Sequence, residues 1–255
     1  MSDLTSELDR LAGVPALLVA LDFDGVLAPL VDDPSSSRPL PASADAVRAL
    51  AGLPGTTVVM VSGRGRDDLA SVSGFDAPVR LVGSHGGEFD PDLAASLGRG
   101  EFLTPEQQER RAALIEEMQA LVDDVPGARV EIKPAGAAVH VRGVDPVAGT
   151  ALLDRVRHGA AARDGIDATE GKDVVDLAVL VTTKGSAVDA LRAHLDADAV
   201  LFAGDDVTDE TVFNRLTSTD VGIKVGDGDT AASHRVASPE EMADVLTHLA
   251  GARTG

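Results

Sequence analysis

Residues 17–21 read Leu-Leu-Val-Ala-Leu, an unbroken apolar block that runs straight into Asp22, Phe23, Asp24 and Gly25. A run this short suits a parallel strand buried on both faces better than an amphipathic helix. Ligands of open α/β sheets bind just outside the carboxyl ends of such strands, so the two aspartates stand where a site opens. Residues i and i+2 of an extended chain face the same side, which lets Asp22 and Asp24 act on one reacting group. Gly25 allows a sharp turn with nothing bulky facing a bound anion. A plain strand followed by an Asp/Gly turn is the competing reading of these residues alone, and the rest of the chain separates the two.

A chain of 255 residues with 44% hydrophobic content has room for one large domain, or for a core carrying a smaller insertion. No apolar run approaches the roughly 20 residues that span a bilayer. The amino-terminal stretch 1–10 lacks the basic-then-apolar order of a secretory signal, so a cytoplasmic location is expected. The sequence contains no cysteine, and any metal must therefore sit on oxygen or imidazole ligands. A formal charge of -20 opposes a nucleic-acid partner, whose phosphates call for arrays of Lys and Arg. A small phosphorylated ligand stays compatible with it, because local donors and a bound cation outweigh the global field at close range.

Strand-like apolar runs recur at 57–61, 79–82 and 199–202, and polar clusters follow the first and last of these: Ser62-Gly63-Arg64 and Gly204-Asp205-Asp206. Helical patterns at 42–51 and 66–72 alternate with the strands, as in a doubly wound sheet. Residues 34–41, Pro-Ser-Ser-Ser-Arg-Pro-Leu-Pro, form a loop expected to pass near the mouth of the site. The middle of the chain changes character. A helix over 106–122, a hairpin over 128–142, a helix over 146–163 and a strand pair at 167–170 and 173–178 predict a small open sheet, with Gly171-Lys172 as a tight turn. The fold expected is α/β: a doubly wound, mostly parallel Rossmann-like core sheet with an inserted smaller α+β domain. The boundaries are 1–102 and 181–255 for the core and 103–180 for the insert.

Asp205, Asp206, Asp209 and Glu210 crowd together after the run at 200–202. Such like charges repel unless a cation sits among them, and hard oxygen ligands favour magnesium; an acidic helix amino-terminus is the alternative. Ser62, Gly63 and Arg64 offer a hydroxyl, an open amide and a guanidinium, donors suited to a phosphoryl group. A helix cap with a glycine turn would use the same residues. Lys184, just ahead of the helical stretch 187–194, has no role readable in isolation.

Taken together these pieces resemble the haloacid dehalogenase-type phosphatases: Asp22-x-Asp24-Gly25, then Ser62, then Lys184, then Gly204-Asp205-Asp206 with Asp209, in that order. Within that superfamily the chain is similar to the trehalose-6-phosphate phosphatases, through Ser62-Gly63-Arg64, Gly83-Ser84-His85-Gly86, Glu131-x-Lys133-Pro134, His140-x-Arg142 and Gly204-Asp205-Asp206-x-Thr208-Asp209-Glu210. The resemblance runs from about residue 16 to near the carboxyl terminus and makes 103–180 an α/β cap.

That resemblance implies a magnesium-dependent phosphoric monoester hydrolase. Asp22 would be the nucleophile, forming an aspartyl-phosphate, and Asp24 the general acid and then base. Magnesium would be held by Asp22, the Asp24 main-chain carbonyl and Asp205, with Asp206 and Asp209 in support. Ser62, Gly63 and Lys184 would bind the phosphoryl oxygens, and Arg64, His85, His140 and Arg142 are further candidates for the substrate. The cap would supply Glu131, Lys133 and Asp176 to the sugar and move on hinges at 98–100 and 181–183.

Two departures bear on these roles. Gly25 is followed by Val26 where the family has Thr, and Asp176-Leu177-Ala178 stands where the family has Glu, a basic residue and Pro. Relatives acting on sucrose phosphate or on glycosyl-3-phosphoglycerates, a phosphomutase, and a silent sugar-phosphate sensor are the rival readings. A small-molecule partner and a monomer are expected.

Overall fold

Every residue of β1 (Leu17–Leu21) is buried, because the strand lies in the middle of a sheet covered on both sides. The computed structural model describes residues 2–98 and 102–254. In chain order the strands of the larger sheet are β1, β2 (Thr56–Val61), β3 (Arg80–Gly83), β4 (Glu88–Phe89), β9 (Ala199–Gly204), β10 (Val221–Val225) and β11 (His234–Val236). They lie in the order β11-β10-β9-β1-β2-β3-β4. All pairs are parallel except β3 with β4.

Alternation along β1 explains its unbroken apolar sequence. Leu17, Val19 and Leu21 join one core with Leu8 and Leu11 of α1 (Ser2–Ala12), Val47 and Leu50 of α2 (Pro41–Ala51), Leu69 of α3 (Arg66–Ser73) and Leu246 and Leu249 of α9 (Pro239–Arg253). Leu18 and Ala20 join a second core with Leu93 of α4 (Pro91–Ser96), Val188 and Leu191 of α7 (Lys184–Leu195) and Phe213 of α8 (Glu210–Phe213). Each such leucine, taken fully out of water, contributes about 1.5–3 kcal/mol.

From β1 the chain steps outward through β2 and β3, then returns to the other side of β1 and steps outward through β9, β10 and β11. The strand order therefore reverses beside β1, and a crevice at the carboxyl ends of β1 and β9 follows. The sequence signalled only some of these strands. β4 and β11 have 2 and 3 residues, too short for a periodicity, and β10 is interrupted by Gly222 and Lys224, both buried.

Contacts divide the chain into Met1–Arg99 with Thr182–Gly255, and Gly100–Val181; the sequence placed these boundaries at 103 and 180. The smaller unit has an antiparallel sheet in the order β5-β6-β8-β7, from β5 (Arg129–Lys133), β6 (Gly136–His140), β7 (Asp167–Gly171) and β8 (Val174–Ala178). Leu114 and Met118 of α5 (Pro105–Val122) and Leu152 and Val156 of α6 (Pro146–His158) pack on Val139, Val175 and Leu177.

Two expectations are adjusted here. The helix expected over 146–163 stops at His158, where Gly159 breaks it before a short 3-10 turn over 160–162. The turn between β7 and β8 is Lys172-Asp173, not Gly171-Lys172: Gly171 pairs with Val174, and Asp173 takes the left-handed conformation at φ 61. Of the hinge residues expected at 98–100, 99 and 100 lie outside the described residues. Among the described residues no helix is long and apolar enough to cross a membrane.

Candidate active site

The crevice beside β1 collects the acidic residues that follow two strands, β1 and β9. Asp22 follows β1, is 5% exposed, donates its backbone N–H to the carbonyl of Ala203 at 3.0 Å and accepts the Phe23 N–H on Oδ1 at 2.7 Å. Its other oxygen, Oδ2, lies 2.7 Å from Nζ of Lys184. Lys184 is the first residue of α7. Thr183 caps that helix through a hydrogen bond from the Ser186 N–H at 3.1 Å, so the lysine enters the crevice from a rigid helix start.

The same ammonium donates to Oδ1 of Asp209 at 2.8 Å. Asp209 is fully buried, and its Oδ2 accepts the N–H groups of Asp205 and Asp206 at 2.9 and 3.0 Å. Asp209 therefore fixes the backbone turn that carries Asp205. The approach is close enough that a Cβ on Gly204 would lie 2.2 Å from Asp209 Cγ. Gly25, at φ +74, lets Asp205 settle beside the β1 end, since a Cβ there would fall 2.0 Å from Asp205 Oδ2.

Carboxylate oxygens of Asp22, Asp205 and Asp209 lie within 4.8 Å of one another. The main-chain carbonyl of Asp24 was expected in the metal set alongside Asp22 and Asp205, while the side-chain cluster has Asp209 as its third member. Burial pushes the Asp22 carboxyl up to about 7 against the pull of Lys184, and the charge of Asp209 adds to the rise. Burial, with the charges of Asp209 and Asp206, pushes Asp205 up to about 6. Burial favours a neutral amine at Lys184, but Asp22 and Asp209 outweigh it and hold the ammonium above the usual lysine range. Asp206 turns to its own loop: Oδ1 accepts the N–H and hydroxyl of Thr208, both at 2.7 Å. Burial opposes its charge, yet those bonds and Lys184 keep its carboxyl below the ordinary value.

Lys224 had no place in the sequence reading. It is 4% exposed, and its ammonium donates to the main-chain carbonyl of Asp205. The available signal was a charged residue inside the apolar run 221–225.

Ser62 follows β2, is 2% exposed, and accepts the Arg64 N–H on Oγ at 3.2 Å. His85 sits in a left-handed conformation at φ 53 with its ring against Gly63, where a Cβ would come within 2.6 Å of Cε1. The next residue but two before Ser186, Thr183, leaves no room for a Cβ on Gly86, and the Thr182 hydroxyl donates to the Ser84 carbonyl at 3.0 Å. The 83–86 loop thus links the Ser62 turn to the Lys184 turn.

Arg64, expected on the substrate, is committed elsewhere. Nε and Nη2 donate to Asp24 Oδ2 and Oδ1 at 2.6 and 2.9 Å, Nη1 donates to Asp68 at 2.8 Å, and the guanidinium lies 5.9 Å from the ring centroid of Phe23.

In the smaller unit Glu131, Ala138, Asp176 and Thr169 are opposite one another across the four strands. Directly paired residues share a face, as do residues two apart, so Glu131, Lys133, His140 and Asp176 lie on one face of that sheet. They pair among themselves: His140 with Glu131 at 2.7 Å, and Lys133 with Asp176. Arg142 is exposed in the turn beyond β6.

The profile of the family described as trehalose-phosphatase matches residues 20–244. The chain belongs to that family. Among curated proteins it is 35% identical over 243 residues to a bifunctional trehalose-6-phosphate synthase/phosphatase of Thermoproteus tenax, covering 91% of this chain and 32% of that one. A trehalose-phosphate phosphatase of Mycobacterium marinum is 33% identical over 275 residues, covering 98% of this chain and 67% of the relative. The chain thus spans about a third of the first relative's length and about two thirds of the second's. Among solved structures, the C-terminal domain of the Candida albicans trehalose-6-phosphate phosphatase superposes with a TM-score of 0.71 at 22% identity, covering 98% of this chain and 97% of that one, which establishes the shared fold.

Membership makes the chain a phosphatase by family and implies a divalent metal cofactor. The side chains fit one. Lys184 and Lys224 face Asp22, Asp205, Asp206 and Asp209, which leaves an excess of acidic groups on hard oxygen donors, and burial together with the neighbouring acids raises two of those carboxyls.

Proposed function

We propose that this chain hydrolyses trehalose 6-phosphate to trehalose and inorganic phosphate, with magnesium as the cation. The observation that carries the reading is the pairing of Lys184 with both Asp22 and Asp209 at the switch point of the sheet, in a chain whose family match covers residues 20–244.

In this reading Asp22 attacks phosphorus and forms an aspartyl-phosphate, splitting one difficult displacement into two. Asp24 gives a proton to the leaving sugar oxygen and then takes one from the water that cleaves the acyl phosphate. Lys184 Nζ, Ser62 Oγ and the Gly63 amide receive the phosphoryl oxygens, where charge is concentrated. Asp209 holds Lys184 and the Asp205 turn in place. The cation, when bound by Asp22, Asp205 and the Asp24 carbonyl, would screen the repulsion between a carboxylate and a phosphate.

Sugar selection belongs, in this proposal, to Glu131, Lys133 and Asp176, with His85, His140 and Arg142 as further contacts. The Glu131–His140 contact and the Lys133–Asp176 ion pair place polar donors and acceptors on one sheet face, as a polyhydroxyl ligand requires. A cytoplasmic, monomeric enzyme completes the proposal on the strength of the sequence alone.

The test is phosphate release, with and without EDTA, from trehalose 6-phosphate, sucrose 6-phosphate, glucosyl-3-phosphoglycerate and glucose 6-phosphate. EDTA-sensitive preference for trehalose 6-phosphate is the expected outcome. Preference for another substrate overturns the sugar assignment, and release that ignores EDTA overturns the metal.

A further inference from the structure

The loop 34–41 contributes a residue that no motif assigned. Ser37 is fully buried, although it lies in a stretch rich in Ser and Pro, and its hydroxyl donates to Asp24 Oδ1 at 2.8 Å. The loop is built to deliver it. Asp33 Oδ1 accepts the N–H and hydroxyl of Ser35 at 3.0 and 2.8 Å, and Arg38 Nη1 closes on the carbonyls of Ser35 and Ser37 at 3.0 and 2.6 Å. Arg64 Nη2 reaches the Pro34 carbonyl at 2.9 Å while also donating to Asp24 Oδ1. One guanidinium therefore ties the loop, the end of β2 and Asp24 together.

The two oxygens of Asp24 are used unequally. Oδ1 accepts from Ser37 Oγ and Arg64 Nη2, which occupies both of its lone-pair directions. Oδ2 accepts only from Arg64 Nε among the hydrogen bonds of the described residues, leaving one lone pair for a proton.

We propose that Ser37 and Arg64 are positioning residues that fix the carboxyl of Asp24 in one orientation and make Oδ2 the oxygen that carries the proton. The inference rests on the reading of Asp24 as acid and base. As Asp22 bonds to phosphorus, the bond from phosphorus to the sugar oxygen breaks, its electron pair stays on that oxygen, and the proton on Oδ2 moves there. In the second step water bonds to phosphorus and gives its proton to Oδ2, while the pair of the Asp22–phosphorus bond returns to the Asp22 carboxylate. Both transfers need the same atom in the same place, and a fixed carboxyl supplies it without reordering.

The test uses kcat/KM, which reports the first chemical step, for S37A, R64K and D24N against the unaltered protein. The substrates are trehalose 6-phosphate, phenyl phosphate and 4-nitrophenyl phosphate, in order of decreasing need for a proton on the leaving group. General acid catalysis is worth about 100- to 10,000-fold. With part of it lost, S37A is expected to lose about 10-fold on trehalose 6-phosphate and R64K about 100-fold. In both, the loss shrinks along the series in the same order as for D24N. A loss equal on all three substrates overturns the proposal and returns Arg64 to the phosphoryl group.

Thermal melting separates misfolding from misplacement. Crystal structures of both variants give a readout independent of turnover: a displaced or multiple Asp24 rotamer supports the proposal, and an unchanged rotamer in both overturns it. Should the unaltered protein cleave the aryl esters but not trehalose 6-phosphate, the sugar assignment fails while the aryl pair and the rotamers still decide the role of Ser37 and Arg64.

Discussion

Nζ of Lys184 lies 2.7 Å from Oδ2 of Asp22, and both side chains are withdrawn from solvent. The ammonium also holds Asp209, so one charge serves two buried carboxylates. Removing one partner of a buried pair costs more than the pair contributes, because the remaining charge has no water to turn to. Lys184→Met is expected to lose about 3–5 kcal/mol of stability, read from denaturant midpoints, and all turnover. Lys184→Arg should not restore activity, since a planar fork does not fit a pocket shaped to a point charge. Full activity in either variant would remove Lys184 from the site.

Asp22→Asn keeps the shape of the side chain while removing the nucleophilic oxygen and its charge. The variant should fold normally, by circular dichroism and melting, and release no phosphate. Retained EDTA-sensitive phosphate release in that variant would sink the assignment of Asp22.

The raised values of Asp22 and Asp205 give a pH dependence of definite sign. A carboxyl whose folded pKa is raised binds its proton more tightly folded than unfolded. The stabilisation it gives the cation-free protein is therefore full below the unfolded value of about 3.9 and is lost as pH rises through about 6 for Asp205 and about 7 for Asp22. Magnesium needs the ionised forms, so its affinity, followed by calorimetry, should increase across that range. The melting increment given by magnesium should be larger at about pH 8 than at about pH 5, and the reverse order would contradict the assignment of these two ligands.

Gly25→Ala combines a left-handed backbone, costing about 1–2 kcal/mol for a residue with a Cβ, with a contact at 2.0 Å on Asp205 Oδ2. The expected result is a modest drop in melting temperature and a larger drop in magnesium affinity, because the carboxylate must move. Unchanged magnesium affinity would show that Asp205 does not hold the cation in the arrangement described.

Asp220 provides a control away from the crevice. Its side chain is fully buried and takes Arg192 on both oxygens, at 2.6 and 2.9 Å, with the Val200 and Thr217 N–H groups at 2.9 and 2.7 Å. Burial opposes its charge, but Arg192 and Thr217 hold its carboxyl below the usual range. Asp220→Asn is expected to cost about 3 kcal/mol with kcat/KM preserved at a temperature where the protein stays folded. A specific loss of kcat/KM would place Asp220 in the reaction.

The acids and bases at strand ends were legible because burial and alternation leave a strong trace: 17–21 is apolar on both faces, and Asp22 breaks it. Lys224 left a fainter trace, one charge inside a short apolar run. Ser37 left none, since a serine among serines and prolines reads as solvated loop, and only the path of 33–38 brings its hydroxyl to Asp24. Arg64 was legible as part of the Ser62-Gly63-Arg64 turn, but its choice between a phosphate and the Asp24 carboxylate depends on a residue 40 positions away.

By itself the sequence determined which residues could do chemistry, because residue type fixes the donors, acceptors and charges available and local pattern fixes where a strand ends. Tertiary structure decided how they are shared. The reversal of strand order beside β1 brings Asp22, Lys184, Asp205 and Asp209 within reach of one another. It raises two carboxyls by taking them out of water together, and it commits Arg64 and Ser37 to Asp24. Those outcomes depend on distances between parts of the chain that meet only when the sheet closes its core.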